Sequence, residues 1–135
     1  MSVLILDASV AAAWLFSDET EPRADAALAR LAEEGAFVPR LWHLEIRNVL
    51  LVAERRGRIS AEHALELLDA LSELPIRTDT TPDLAVAFAL ARAHGLSFYD
   101  AVYLELAQRR DGTLATLDAA LARAATAAGL SLSVK

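Results

Sequence analysis

The sequence predicts a three-layer α/β/α domain built on a largely parallel sheet of about five strands. Short apolar runs alternate along the chain with longer segments in which apolar residues recur at helical spacing. The first run, residues 3–6, is uninterrupted and ends in Asp7, which is typical of a central strand buried on both faces. Strands that alternate with helices form parallel sheets covered by helices, and the ligand site of such a sheet lies at the carboxyl ends of the strands.

Local start and stop signals place the remaining elements. Helices are expected at 8–16, 20–34, 41–56, 60–73, 81–94 and 118–128, with a further helix through Asp100 that ends near Gly112. Strands are expected at 36–38, 76–78, 113–117 and 130–134. All five glycines fall just past a predicted helix, so each is interpreted as a left-handed C-cap. None is left for a phosphate-binding loop.

Composition restricts the class of protein. At 135 residues and 55% hydrophobic content, residues 1–135 are expected to form a single domain with its own core. No apolar run approaches the roughly 18 residues of a membrane span, and Asp7 comes too early for a secretory leader, so we expect a cytoplasmic protein. The chain has no cysteine, which excludes disulfides and thiolate chemistry. A net charge of −6 argues against a broadly basic nucleic-acid-coating surface but leaves room for a local arginine patch.

Asp100 stands in a segment where a carboxylate needs an explanation. From 98 to 107 only Asp100 and Glu105 are charged, so this helix is expected to lie in the core. An unpaired carboxylate there would cost free energy or become neutral, so a positive or hydrogen-bonding group should face it. The alternative is a capping-box variant, in which Ser97 is the N-cap and Asp100 the third helical residue.

Three more carboxylates occupy similar places. Asp7 and Asp118 each follow a predicted strand, although each could also be a simple helix N-cap. Glu45 is predicted to project from the buried side of its helix together with Asn48. The expected apolar stripe of that helix is Leu41, Trp42, Asn48, Val49 and Val52, and the opposite face carries His43, Arg47 and Glu54.

Four such carboxylates in one pocket require a counter-charge, because two like charges about 4 Å apart repel by roughly 4 kcal/mol at an effective dielectric of 20. Lys135 is the only lysine, and the histidines are poorly placed. A structural cluster with arginines is one explanation. The other is Mg²⁺ or Mn²⁺, which prefer oxygen ligands, polarise a phosphodiester and lower the pKa of an attacking water.

A family resemblance adds to this chemistry. The four carboxylates lie in the segments Asp7-Ala8-Ser9, Glu45-Ile46-Arg47-Asn48, Tyr99-Asp100-Ala101 with Tyr103-Leu104, and Thr116-Leu117-Asp118 with Leu121. In order and spacing, over essentially the whole chain, these segments resemble the successive acidic motifs of PIN-domain ribonucleases. Among these the chain most resembles the VapC toxins of type II toxin–antitoxin systems.

The resemblance implies a metal-dependent endoribonuclease that uses Mg²⁺ or Mn²⁺, forms a homodimer and is inhibited by a cognate VapB antitoxin. It implies that Asp7, Asp100 and Asp118 face the metal and that Glu45 binds metal or orients water. Ser9, Asn48 and Thr116 would be supporting hydroxyl and amide groups. The chain departs from many relatives after Asp118, where Ala119 and Ala120 stand in place of a basic residue.

Three other functions compete with this one. A receiver-type phospho-acceptor domain needs a lysine near its aspartates, and this chain has none there. A haloacid-dehalogenase-like phosphatase would have a second aspartate at the position of Ser9. A catalytically silent PIN-like interaction domain is the remaining alternative, against which the complete set of four acids argues.

Two helices carry more apolar surface than one core obviously needs. Leu44 and Leu51 lie outside the predicted stripe of the helix at 41–56, and the next helix offers Ala64, Leu65, Leu67, Leu68 and Leu71. An antitoxin segment is one expected occupant of this surface. The alternative is that both helices pack on the sheet or across a homodimer.

Overall fold

The computed structural model describes residues 3–16 and 21–133. Its strands are β1 (Leu4–Leu6), β2 (Ala36–Pro39), β3 (Ile76–Asp79), β4 (Thr113–Ala115) and β5 (Ser131–Leu132). Its helices are α1 (Ala8–Leu15), α2 (Pro22–Glu34), α3 (Arg40–Arg55), α4 (Ala61–Ser72), α5 (Leu84–His94), α6 (Phe98–Arg109) and α7 (Ala119–Ala127). The strands form one sheet in the order β3-β2-β1-β4-β5, and every described pairing is parallel. The predicted fold class is therefore confirmed.

β1 is the central strand of the sheet. Leu4, Ile5 and Leu6 are completely buried. Leu4 pairs with Ala36 of β2 on one side, and Leu6 pairs with Ala115 of β4 on the other. Because parallel strands end at one edge, this register brings the segments after β1 and β4 together.

The buried stripe of α3 differs from the prediction. Trp42, Ile46, Leu50 and Ala53 are the buried residues of this helix. Asn48 is exposed, so its predicted place on the buried side is wrong. His43 is half-buried rather than fully on the wet face, and its Nε2 lies 2.8 Å from the Thr78 hydroxyl of β3. The buried residues of α3 recur at three- and four-residue spacing from Trp42, so its buried face differs from the predicted stripe.

The core position predicted for residues 98–107 is confirmed for most of that segment. Ala101 and residues 103–107 are buried in α6. Phe98 and Tyr99 at its first turn are exposed. Asp100 therefore lies where the helix passes from the surface into the core.

Other boundaries shift by a few residues. The cap of α5 is Asp83, whose carboxylate accepts a hydrogen bond from the Val86 amide, and not Thr81-Pro82 as predicted. The last strand covers only Ser131–Leu132. The predicted positions at Thr20 and Val134 lie outside the described residues.

Gly112 is not the left-handed cap that its position predicted. The neighbouring Asp111 has the positive φ, at 51°. A Cβ on Gly112 would lie 2.7 Å from Ile5 Cγ1 and 2.9 Å from the Val3 carbonyl oxygen. Gly112 is thus required by the close approach of the turn before β4 to β1.

An ionic cluster that the sequence did not indicate joins β3 to α6. Arg109 contacts both oxygens of Asp79 at 2.9 and 2.7 Å, and its Nε donates to Glu105 at 2.8 Å. Arg110 also donates to Asp79, at 2.9 Å, and its guanidinium covers the Phe37 ring. Both carboxylates are buried, so the arginines supply the charge that their burial requires.

No helix in the described ranges, 3–16 and 21–133, is long and apolar enough to cross a membrane.

Replacing Asp79 with Asn is expected to lower the free energy of unfolding by about 2 kcal/mol. That is less than the roughly 3 to 5 kcal/mol of a fully buried pair, because the Arg109 and Arg110 side chains are 29% and 32% exposed. Hydrogen bonds from Arg109 hold the pKa of Asp79 below its usual range. The stabilisation is therefore present above the unfolded-state pKa and is lost as the pH falls.

Urea denaturation at pH 7 and at about pH 3 would measure this effect. The matched control is Glu66→Gln, which removes an exposed contact to His63 and should change stability by less than about 0.5 kcal/mol. A difference between Asp79→Asn and wild type that is the same at both pH values would contradict the assignment.

Candidate active site

Asp7 is held by two neutral hydroxyl groups. It follows β1 at the N-cap position of α1, but its side chain makes no capping hydrogen bond. Oδ2 instead accepts hydrogen bonds from Ser9 Oγ at 2.7 Å and Thr116 Oγ1 at 2.6 Å. The carboxylate is only 5% exposed. Burial raises the pKa of Asp7, and the nearby Asp118 adds to that rise, while the two hydroxyls oppose it.

The same two hydroxyls tie the ends of β1 and β4 together. Ser9 Oγ accepts a hydrogen bond from the Leu117 amide at 3.0 Å, and Thr116 Oγ1 accepts one from the Asp118 amide at 3.0 Å. Each hydroxyl donates to Asp7 and accepts from the segment after β4. Ser9 and Thr116 therefore lie where the resemblance placed supporting groups.

Asp118 has two roles in the structure. Its Oδ1 caps α7 by accepting a hydrogen bond from the Leu121 amide at 2.9 Å, so its interpretation as a helix N-cap is confirmed. Its negative charge also acts on Asp7 and Asp100, whose pKa values it raises. Asp118 thus caps α7 with one carboxylate oxygen, and its negative charge acts on the other acids.

Asp100 is coupled to the other acids in addition to its place in a capped helix. Ser97 Oγ accepts a hydrogen bond from the Asp100 amide at 3.1 Å, which confirms Ser97 as the N-cap. The pKa of Asp100 is raised first by burial and then by the charges of Asp118 and Asp7. Its position in the first turn of a capped helix does not account for the raised pKa of Asp100, since a helix N-terminus would lower the pKa of a carboxyl group.

Glu45 reaches the same cluster from α3. The hydroxyl of Tyr103 donates a hydrogen bond of 2.6 Å to its Oε1. Burial raises the pKa of Glu45 and the charges of Asp7 and Asp100 raise it further, whereas the hydrogen bond from Tyr103 lowers it. The structure thus brings all four predicted carboxylates into one electrostatically coupled group.

Two residues need comment. Asn48 is exposed and lines an opening with Phe16, Arg56 and Arg58, and its role as a supporting group stays a prediction. Tyr103 was not among the predicted site residues, although its segment was part of the motif. The sequence carried a signal that could have predicted it, because a tyrosine in an otherwise apolar helix has a hydroxyl that needs a buried hydrogen-bond partner.

Hydrogen bonds reach the carboxylates of Asp7, Glu45 and Asp118. In the described part of the chain, none of the ion pairs includes any of the four site carboxylates. The arginines that do pair with buried acids belong to the cluster at Asp79 and Glu105. Among the described residues, the arginine cluster that the sequence left open around the four site carboxylates is therefore not found.

The donor set fits a hard divalent cation. Among the described residues, no three His, Cys, Asp or Glu side chains are close enough together to form a ready-made metal cage. Mg²⁺ does not need one, because it keeps several waters and is bound by one or two carboxylates. Burial is the main cause of the raised pKa values of Asp7, Glu45 and Asp100, and the charges of neighbouring acids add to it. Oxygen ligands with uncompensated negative charge are what Mg²⁺ or Mn²⁺ binds.

The sequence matches the PIN domain family over residues 4–127. The Ribonuclease VapC3 of Pyrobaculum aerophilum is 34% identical over 122 residues, which cover 88% of this chain and 92% of that protein. The Ribonuclease VapC3 of Mycobacterium tuberculosis is 31% identical over 105 residues, 78% of this chain and 76% of that protein. The crystal structure of PAE2754 from Pyrobaculum aerophilum superimposes with a TM-score of 0.70 at 27% identity, covering 91% of this chain and 79% of that one.

The chain therefore belongs to the PIN domain family. Both sequence relatives named above are VapC ribonucleases, so within the PIN domain family the chain groups with the VapC proteins.

Asp100→Asn is expected to stabilise the metal-free protein at pH 7. The pKa of Asp100 is raised in the folded state, so its contribution to stability is fully present below the unfolded-state pKa and is lost as the pH rises. Removal of the charge of Asp100 removes the free-energy cost of burying it and its repulsion by the other acids. The melting temperature should therefore rise by a few degrees.

Thermal unfolding in EDTA would measure this, and the gain should vanish below about pH 4, where the wild-type carboxyl is neutral. Asp69→Asn, on the exposed surface of α4, should leave the melting temperature unchanged. An equal gain at both pH values would show that the effect does not come from the charge of Asp100.

Proposed function

We propose that the protein is a Mg²⁺- or Mn²⁺-dependent endoribonuclease that acts as the toxin of a VapBC-type pair. The observation that carries the proposal is the group of four carboxylates, drawn from separate elements to one edge of the sheet without a cationic partner among the described side chains. The PIN domain family and the relatives named Ribonuclease VapC3 support RNA as the substrate.

Asp7, Asp100 and Asp118 are the residues that would hold the cation, with Glu45 either binding it or orienting water. When bound, such a cation neutralises phosphate charge and lowers the pKa of a water that hydrolyses the phosphodiester. The carboxylates then need to be ionised, and neutralisation by the cation favours that state.

The chain's own residues set up the reaction. Ser9 and Thr116 hold Asp7 in one orientation, because both hydroxyls donate to the same oxygen. That leaves Oδ1 free of these donors. Glu45, whose pKa is raised by burial, is suited to accept a proton from an attacking water.

The protein's net charge of −6 disfavours the binding of RNA, which is also negatively charged, so a cation at the site is more necessary for this substrate. RNA phosphates approaching four carboxylates are repelled, and a bound divalent ion would offset part of that negative charge. A catalytically silent interaction domain would have no need to keep four repelling carboxylates in place.

Cleavage of RNA by the purified protein is expected to require Mg²⁺ or Mn²⁺ and to stop in excess EDTA. Asp100→Asn should abolish cleavage, because it removes a ligand without disturbing the fold. A gel assay on single-stranded RNA with Asp69→Asn as the matched control would test both points. Equal cleavage in EDTA, or full activity of Asp100→Asn, would refute the metal mechanism.

The same requirement can be examined without RNA. Mn²⁺ should raise the melting temperature of the wild-type protein, since a ligand that binds only the folded state shifts unfolding by mass action. Asp7→Asn should respond much less. Equal shifts in the two proteins would remove Asp7 from the cation site.

A groove between α3 and α4 is the proposed antitoxin site. It is lined by Arg47, Leu50, Leu51, Glu54, Ala61, Ala64, Leu65 and Leu68. Leu65 is 65% exposed, and α4 buries only Ala64 and Leu71 fully. Such a surface suits the apolar face of an antitoxin helix, while the resemblance to VapC toxins supplies the partner. A homodimer, which the resemblance also implies, would then use a different face.

Leu65→Glu is expected to weaken inhibition by the cognate VapB antitoxin at least about tenfold while cleavage and oligomeric state are retained, because a charge in the groove costs more than 1.4 kcal/mol of binding. Leu44→Glu is the matched control, since Leu44 is also exposed on α3 but does not line the groove. Inhibition titrations and light scattering would measure the two effects. Unchanged inhibition of Leu65→Glu would exclude this groove.

A further inference from the structure

The hydroxyl of Tyr103 is unusual for its position. Tyr103 is 0% exposed, and the residues that follow it on α6, Leu104 and Leu106, are also buried. A phenylalanine would fill an apolar site of this kind, whereas a buried hydroxyl costs free energy unless it is hydrogen-bonded. The hydroxyl donates to Glu45 Oε1 at 2.6 Å, a length typical of a charge-assisted hydrogen bond.

The hydroxyl joins two elements. Its partner Glu45 comes from α3, and Tyr103 itself comes from α6. Tyr103 therefore links the helix that carries Asp100 to the side chain of Glu45.

Glu45 needs such a contact more than Asp7 and Asp118 do. Asp7 is fixed by two hydroxyls and Asp118 by its helix cap. Glu45 has a longer side chain and is repelled by Asp7 and Asp100. Without a donor it would turn toward solvent, since a free glutamate gains side-chain entropy and loses repulsion when it leaves the cluster.

We propose that Tyr103 is a positioning residue: its hydroxyl holds Oε1 of Glu45 and keeps Oε2 directed to the cation and the attacking water. This inference rests on the proposed function. Tyr103 is assigned no contact with RNA or with the cation, so the effect of Tyr103 on cleavage passes through Glu45 alone.

Tyr103→Phe should therefore lower kcat for metal-dependent RNA cleavage by about tenfold, the usual effect of losing one hydrogen bond to a charged group. KM for RNA should stay unchanged, because Tyr103 does not contact the substrate. Tyr99→Phe is the matched control, since Tyr99 is on the same helix and 63% exposed. In a Glu45→Gln background, the Tyr103→Phe change should have little further effect, because its target is already altered.

A spectroscopic measurement separates positioning from a general effect on folding. The chain has two tyrosines, so protein labelled with 3-fluorotyrosine gives two fluorine signals, which Tyr99→Phe assigns. Mg²⁺ should move the Tyr103 signal and leave that of Tyr99 in place. Glu45→Gln should move the Tyr103 signal even without Mg²⁺.

The outcomes are distinct. A Tyr103→Phe protein with unchanged kcat, or with a loss equal to that of Tyr99→Phe, overturns the inference and leaves the proposed function intact. A wild-type protein that cuts no RNA with either metal overturns the proposed function. In that case the fluorine signal still decides the contact: a shift of Tyr103 in Glu45→Gln supports it, and no shift overturns it.

Discussion

Repulsion among four carboxylates is the constraint on which the rest of the site depends. Neutral hydrogen-bond donors keep two of these carboxylates in place despite the repulsion. The hydroxyls of Ser9 and Thr116 hold Asp7, and the hydroxyl of Tyr103 holds Glu45. A hydroxyl stabilises a carboxylate without cancelling its charge, whereas an arginine would cancel it. The site is therefore kept in place and still lacks positive charge, which is the condition for binding a divalent cation.

The chain separates its two kinds of buried acid along one helix. At its first turn α6 carries Asp100, which is repelled by other acids, and at its last turns it carries Glu105 and Arg109, which are paired. The pairing extends to Asp79 at the end of β3. The ion-pair network therefore attaches the C-terminal end of α6 to the sheet, whereas the acid at its N-terminal end has no ion pair among the described residues.

Local signals were sufficient for most elements. Ser60 was expected to begin a helix and Ser97 was considered as an N-cap, and both accept the capping hydrogen bond. The exceptions arise where tertiary contacts decide. Gly112 follows a helix as a cap would, yet its lack of a side chain is required by the nearby Ile5 and Val3. The buried face of α3 was mispredicted at Asn48, because which of several apolar residues meets the sheet depends on the orientation of the packed helix.

The sequence by itself determined the order of elements, the parallel sheet and the four carboxylates, because hydrophobic periodicity and a charge after a buried strand are local properties. Only the tertiary structure decided which donor each carboxylate has. Thr116 lies 109 positions from Asp7, and Tyr103 lies 58 from Glu45, so no local pattern relates them. The structure also decided that arginines pair with Asp79 and Glu105 instead of the four site acids, since that choice depends on which strand end the C-terminal turn of α6 reaches.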